Sequence, residues 1–131
     1  MGETIRLKCN DCGNSYELGI GHGMADNRLD TVLGYFDEVS AERIRRILPA
    51  SDKGYRWSYR KMIGYCSSCR SYIEIPTFSI MNNEENTTVA ATCRCGNNCM
   101  LIDDNDKARM NSLLCPKCNG KMTAEIAGMW D

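Results

Sequence analysis

The chain has 131 residues, enough for one domain or two very small ones. Its 16 Lys plus Arg nearly balance 17 Asp plus Glu, for a net charge of −1, so it lacks the bulk positive excess that draws a protein to nucleic acid or a membrane surface. No apolar run approaches the roughly 18 residues that span a bilayer, and Met1 to Arg6 carry no apolar signal segment; the expected setting is cytoplasmic, where disulfides are rare.

In chain order, residues 4–8 alternate and run into Cys9-Asn10-Asp11-Cys12-Gly13, and Tyr16 to Leu18 lead out as the second arm of a hairpin. Gly19, Gly21 and Gly23 break regular structure. Leu29, Val32, Leu33 and Phe36 then repeat at helical spacing behind Asp26, a candidate N-cap. A second helix is predicted over 39–48, burying Val39, Ile44, Ile47 and Leu48, with Asp37 or Ser40 as cap and Pro49 as stop. Residues 55–65 alternate aromatic and basic and read as a strand entering Cys66-x-x-Cys69. Tyr72 to Ile75 leave that turn, Pro76 is expected to interrupt, and Phe78 to Ile80 continue before a turn at 82–86. Thr87 to Thr92 form a β-branched strand into Cys93-Arg94-Cys95-Gly96, and Cys99 to Ile102 return. Asp103 to Asp106 make a solvated turn, without the Gly and distal Glu of a calcium loop. Cys115-Pro116-Lys117-Cys118 completes the set.

Nine cysteines in so short a chain need a chemical reason. A two-residue spacer lets one tight turn aim two thiolates at one ion while turn amides donate to the sulfurs. Gly13, Gly96 and Asn119-Gly120 follow where such a turn needs a left-handed residue. A redox C-x-x-C normally appears once, opening a helix, whereas here the motif repeats among turn residues. Iron–sulfur clusters also use four cysteines, but zinc is the favoured ion.

The knuckles at Cys9/Cys12 and Cys115/Cys118 resemble the treble-clef and zinc-ribbon knuckles of small bacterial proteins, RNA polymerase and translation factors. A narrower resemblance is to uncharacterised bacterial zinc-ribbon proteins with a knuckle, a "GxGM" segment, two short helices and further knuckles. The matching residues are Cys9, Cys12, Gly21, Gly23, Met24, Cys66, Cys69, Cys115 and Cys118. The stretch 87–111 departs from that pattern, and the resemblance implies metal binding but no activity.

The expected fold is α+β: small antiparallel ribbons around two four-cysteine zinc sites, with a two-helix insertion at 26–48 after the first knuckle. Residues 1–80 would form one zinc ribbon and 81–131 a second, packed as one unit. Eight ligands are expected, Cys9, Cys12, Cys66, Cys69, Cys93, Cys95, Cys115 and Cys118, holding two zinc ions, with Cys99 spare or an alternative ligand. Sequential pairing is favoured: Cys9, Cys12, Cys66 and Cys69 on one ion, Cys93, Cys95, Cys115 and Cys118 on the other. The rival is nested, with Cys66/Cys69 and Cys93/Cys95 sharing an ion.

Charge is segregated. Residues 42–72 hold Arg43, Arg45, Arg46, Lys53, Arg56, Arg60, Lys61 and Arg70 against Glu42 and Asp52, eight against two, net +6. Tyr55, Trp57 and Tyr59 interleave with them, a pattern that suits single-stranded nucleic acid if the rings are exposed. The simpler alternative is a solvated basic helix face beside a strand whose rings pack inward. His22, the sole histidine, lies in Gly19–Met24, which carries no nucleotide fingerprint and reads as a link. Four thiolates close a metal shell, so the expected class is a non-catalytic zinc-dependent interaction module; its partner is a protein or a nucleic acid, with no small-molecule substrate identified.

Overall fold

The structure is a computed structural model that describes residues 2–48, 56–81 and 86–130. The alternating segment becomes strand β1 (Gly2–Cys9), which turns through the first knuckle into β2 (Ser15–Gly21). A 3₁₀ turn (Met24–Asn27) and two helices, α1 (Leu29–Leu33) and α2 (Glu38–Ile47), follow. Two eleven-residue strands, β3 (Arg56–Cys66) and β4 (Ser71–Met81), form a long hairpin around the second knuckle. After them come β5 (Asn86–Ala90), β6 (Met100–Ile102), the single-turn α3 (Lys107–Met110) and β7 (Met122–Trp130).

All strand pairings are antiparallel, and the strands make one seven-stranded sheet of order β5-β4-β3-β2-β1-β7, with β6 beside β3. β2 meets β3 at one register point, Gly21 opposite Lys61; β6 takes over that edge at residues 63–65. This leaves two cores. The first lies under β1, β2 and β7 and contains Ile5, Leu7, Leu18, Ile63, Met122 and the cysteines Cys9 and Cys115. The second packs Val32, Phe36 and Ile44 of the helical segment on Tyr59, Phe78, Ile80 and Val89. Asp37 caps α2 by accepting from the Ser40 amide at 3.1 Å.

Three expectations change. Strand β4 runs unbroken through Pro76. Its carbonyl accepts from the Ala91 amide, just past the last β4–β5 pair, so the missing N–H falls at the end of the β5 ladder and the β3 ladder stays whole. Val39 is 79% exposed, because Ser40, Ala41 and Ile44 define the inner face of α2. Strand β7, which the sequence did not announce, pairs along the length of β1 and so joins the two ends of the chain; a bulge at Ala127 interrupts that register. Position 80/81, expected to be the boundary between the ribbons, falls within β4. The turn at 82–85 and the residues Pro49, Lys53 and Tyr55 lie outside the described residues.

Candidate metal centres

Eight cysteines gather into two groups of four, each with its sulfurs within 4.8 Å of one another. The first is Cys9, Cys12, Cys115 and Cys118; the second is Cys66, Cys69, Cys93 and Cys95. The pairing is therefore nested, and the favoured sequential pairing is corrected. The reason lies in the sheet. Because β7 pairs with β1, the fourth knuckle is carried back to the first: the Asn10 amide donates to the Lys121 carbonyl at 3.0 Å. The β3–β4 hairpin is left to meet the β5–β6 connection.

Each knuckle is built by its backbone. In the first, Gly13 N–H closes on the Cys9 carbonyl at 3.2 Å while the Asp11 and Cys12 amides point at Cys9 Sγ, both at 3.4 Å. In the fourth, Asn119 N–H closes on the Cys115 carbonyl at 2.8 Å and Gly120 N–H points at Cys118 Sγ at 3.4 Å. All four turns exit through a left-handed residue: Gly13, Arg70, Gly96 and Asn119, with φ of 77°, 51°, 88° and 62°. Arg70 does so without glycine or asparagine, and its guanidinium donates to the Pro116 carbonyl at 2.8 Å. Tyr72 Oη donates to the Leu114 carbonyl at 2.8 Å. Together these two side chains tie the start of β4 to the fourth knuckle and link the two clusters.

The sulfurs are too far apart for disulfides, which need about 2.05 Å. Across the first group Cys9 and Cys118 are 3.4 Å apart and Cys12 and Cys115 are 3.6 Å; across the second, the Cys66–Cys95 and Cys69–Cys93 separations are both 3.6 Å. Four bonds of about 2.3 Å directed tetrahedrally would place sulfurs roughly 3.8 Å apart. The donor sets fit a tetrahedral thiophilic cation. Their titration fits one too. The Cys69 amide holds the Cys66 thiol down to about 6, while Cys69, hydrogen-bonded to Cys93, is pushed up to about 12. Four clustered thiols cannot all ionise side by side, and a divalent cation removes that conflict.

Two outer contacts were not singled out from the sequence. Asn14 Nδ2 donates to Cys115 Sγ at 3.6 Å, and Asn97 Nδ2 donates to Cys95 Sγ at 3.5 Å. Both asparagines close a Cys-Gly-Asn triplet, Cys12-Gly13-Asn14 and Cys95-Gly96-Asn97, and that repeat is visible in the sequence. Cys99 belongs to neither group. It is half-buried beside Gly64, and burial pushes its thiol up to about 11, so it stays protonated at neutral pH.

Among the described residues, the basic and aromatic side chains of 42–72 do not form one surface. Tyr59 is buried in the second core against Phe36, and Trp57 stacks on Phe78 with centroids 5.2 Å apart. Arg60 pairs with Asp104 at 2.6 Å, and Lys61 lies 3.9 Å from Glu74 and 4.3 Å above the Trp130 ring. Arg43, Arg45 and Arg46 are exposed on α2, with Arg46 3.7 Å from Glu42, and Arg56 is exposed at the start of β3. Among the described residues no helix is long and apolar enough to cross a membrane. No family model, curated protein or solved structure matches the chain.

Proposed function

We propose that this protein is a non-catalytic interaction module whose fold depends on two structural zinc ions, one in each four-cysteine group. The observation that carries the reading is the pair of preformed four-sulfur clusters, each with backbone amides aimed at its sulfurs. Four thiolates complete a tetrahedral shell and leave no position for a reacting water, which is what structural rather than catalytic zinc requires. Zinc binding of this kind contributes roughly 10–16 kcal/mol in small peptides. That is comparable to the entire net stability of a domain, about 5–15 kcal/mol. Metal analysis of protein purified without added metal should give two zinc ions per chain; a ratio near one, or iron with visible absorbance, would contradict the reading.

The exposed arginines Arg43, Arg45, Arg46 and Arg56 support a second reading, contact with a single-stranded nucleic acid through its phosphates. Of the two rings at 57 and 59, only the half-buried Trp57 retains a surface on which a base could stack. Titrating a short oligonucleotide at about 50 mM salt against wild type and Arg45→Glu/Arg46→Glu tests it, since phosphate contacts weaken steeply with salt. Absence of binding under that permissive condition leaves only the protein-partner reading.

A further inference from the structure

A cleft of about 500 Å³ opens where the 3₁₀ turn, β3, β4, the third knuckle and the end of β7 converge. Its size is that of a small-molecule site. Asp26, Tyr59, Lys61, Glu74, Arg94 and Trp130 line it. Both carboxylates among them accept internal donors. Asp26 takes the Gly23 amide at 2.7 Å and the Tyr35 hydroxyl at 2.9 Å, and Glu74 takes the Gly19 amide.

Arg94 makes no ion pair or side-chain hydrogen bond among the described residues, although it sits between two cysteines of the second cluster. The Lys61 ammonium pairs with Glu74 at 3.9 Å, beyond hydrogen-bond length, and lies over the face of Trp130, which leaves its N–H donors unfilled. Tyr59 is 6% exposed, and its hydroxyl has no partner among the described residues. No fully buried side-chain oxygen or nitrogen among the described residues goes unpaired, so that hydroxyl keeps some solvent contact; Tyr59 lines both this cleft and a smaller one beside His22 and Trp57. Burial, with Asp26 nearby, raises its pKa strongly and keeps it a donor. Two cations, Lys61 and Arg94, here face two carboxylates that already accept internal donors, and Arg94 and the Tyr59 hydroxyl have no partner among the described residues, so the cleft favours a ligand that brings acceptors and an anionic group. Trp130 adds an apolar wall, laid over Gly2, where any side chain would strike its ring.

We propose that this cleft binds a small carboxylate- or phosphate-bearing molecule, held by Arg94 and Lys61 and by the Tyr59 hydroxyl. The proposal rests on the metal reading only in that the second cluster presents Arg94; metal content measured on the same samples separates the two. The chain has two tryptophans, and Trp57→Phe keeps a ring on Phe78 while leaving Trp130 as the only indole reporter. In that background, phenyl phosphate and benzoate are titrated and Trp130 fluorescence followed. A saturable change is expected with at least one probe. Arg94→Gln and Lys61→Gln should each weaken it about tenfold and Tyr59→Phe by about threefold, with both zinc ions retained. Lys61→Gln keeps the test decisive should Arg94→Gln disturb its cysteine neighbours. No saturable change with either probe, or equal affinity in Lys61→Gln, overturns the proposal. Displacement of the probe by a single-stranded oligonucleotide would assign these donors to a polymer phosphate and overturn the small-molecule site.

Discussion

Cys9, Cys12, Cys115 and Cys118 fasten the two ends of the chain, whereas Cys66, Cys69, Cys93 and Cys95 fasten one hairpin to the connection that follows it. The ligand chemistry is the same and the structural consequence is not. The first cluster joins residues 109 and 103 positions apart; the second joins residues 29 and 24 apart. Loop-closure entropy grows only with the logarithm of length, so this difference is worth about 1 kcal/mol. Packing separates the clusters more. Cys9 and Cys115 are members of the first core, so the first site is continuous with β1, β2 and β7. The second core, which holds the helices against β3, β4 and β5, contains no cysteine. Two half-independent units follow from that difference, joined where β2 meets β3, where Ile63, Tyr72 and Ile102 enter the first core, and where Arg70 and Tyr72 grip the fourth knuckle.

The largest effect should come from removing one ligand at each site. Cys115→Ser is expected to lose one zinc ion, on the order of 10 kcal/mol of binding free energy. Amide protection should then vanish from β1, β2 and β7 while persisting in β3 and β4. Cys66→Ser should lose the other ion and leave the β1–β7 pairing protected. Hydrogen exchange reads this directly, and equal loss of protection in both variants would show that the two halves are one cooperative unit.

A smaller perturbation sharpens the comparison from one side. At Gly64 a Cβ would strike the Ile75 side chain across the hairpin that carries the second site and come within 3.2 Å of Cys99 Cβ, just before β6. Gly64→Ala should cost about 1–3 kcal/mol by overpacking. Zinc at the second site should become easier to chelate while the first is unaffected, and thermal unfolding with a colorimetric chelator measures both. The smallest effects belong to the asparagines. Asn14→Ala should weaken zinc retention about tenfold at the first site alone, and Asn97→Ala equally at the second; competition against a zinc indicator distinguishes them.

Local structure was legible where short-range chemistry decides it. The hairpin through Cys9 and Cys12, the Asp37 cap of α2 and the β3–β4 hairpin each follow from residues adjacent in sequence. Pairing of the knuckles was not legible, for a physical reason. The short stretch 96–114 favours joining the third and fourth knuckles, but the logarithmic cost of a longer loop makes that preference small. The β1–β7 ladder outweighs it, and β7 is hard to see in sequence because it is an edge strand whose Ile126 and Met129 remain exposed at 64% and 63%. The aromatic and basic residues of β3 were visible, but not their partners: Asp104, Glu74 and Trp130 come from β4 and from residues far downstream.

The nested pairing is the claim on which the rest depends, and counting zinc in double variants tests it most directly. Cys12→Ser/Cys118→Ser removes two ligands from one cluster in the nested arrangement and should leave one zinc ion per chain, whereas Cys12→Ser/Cys69→Ser removes one from each and should leave none. The sequential arrangement predicts the reverse, and finding no zinc in the first variant with one ion in the second would contradict the account.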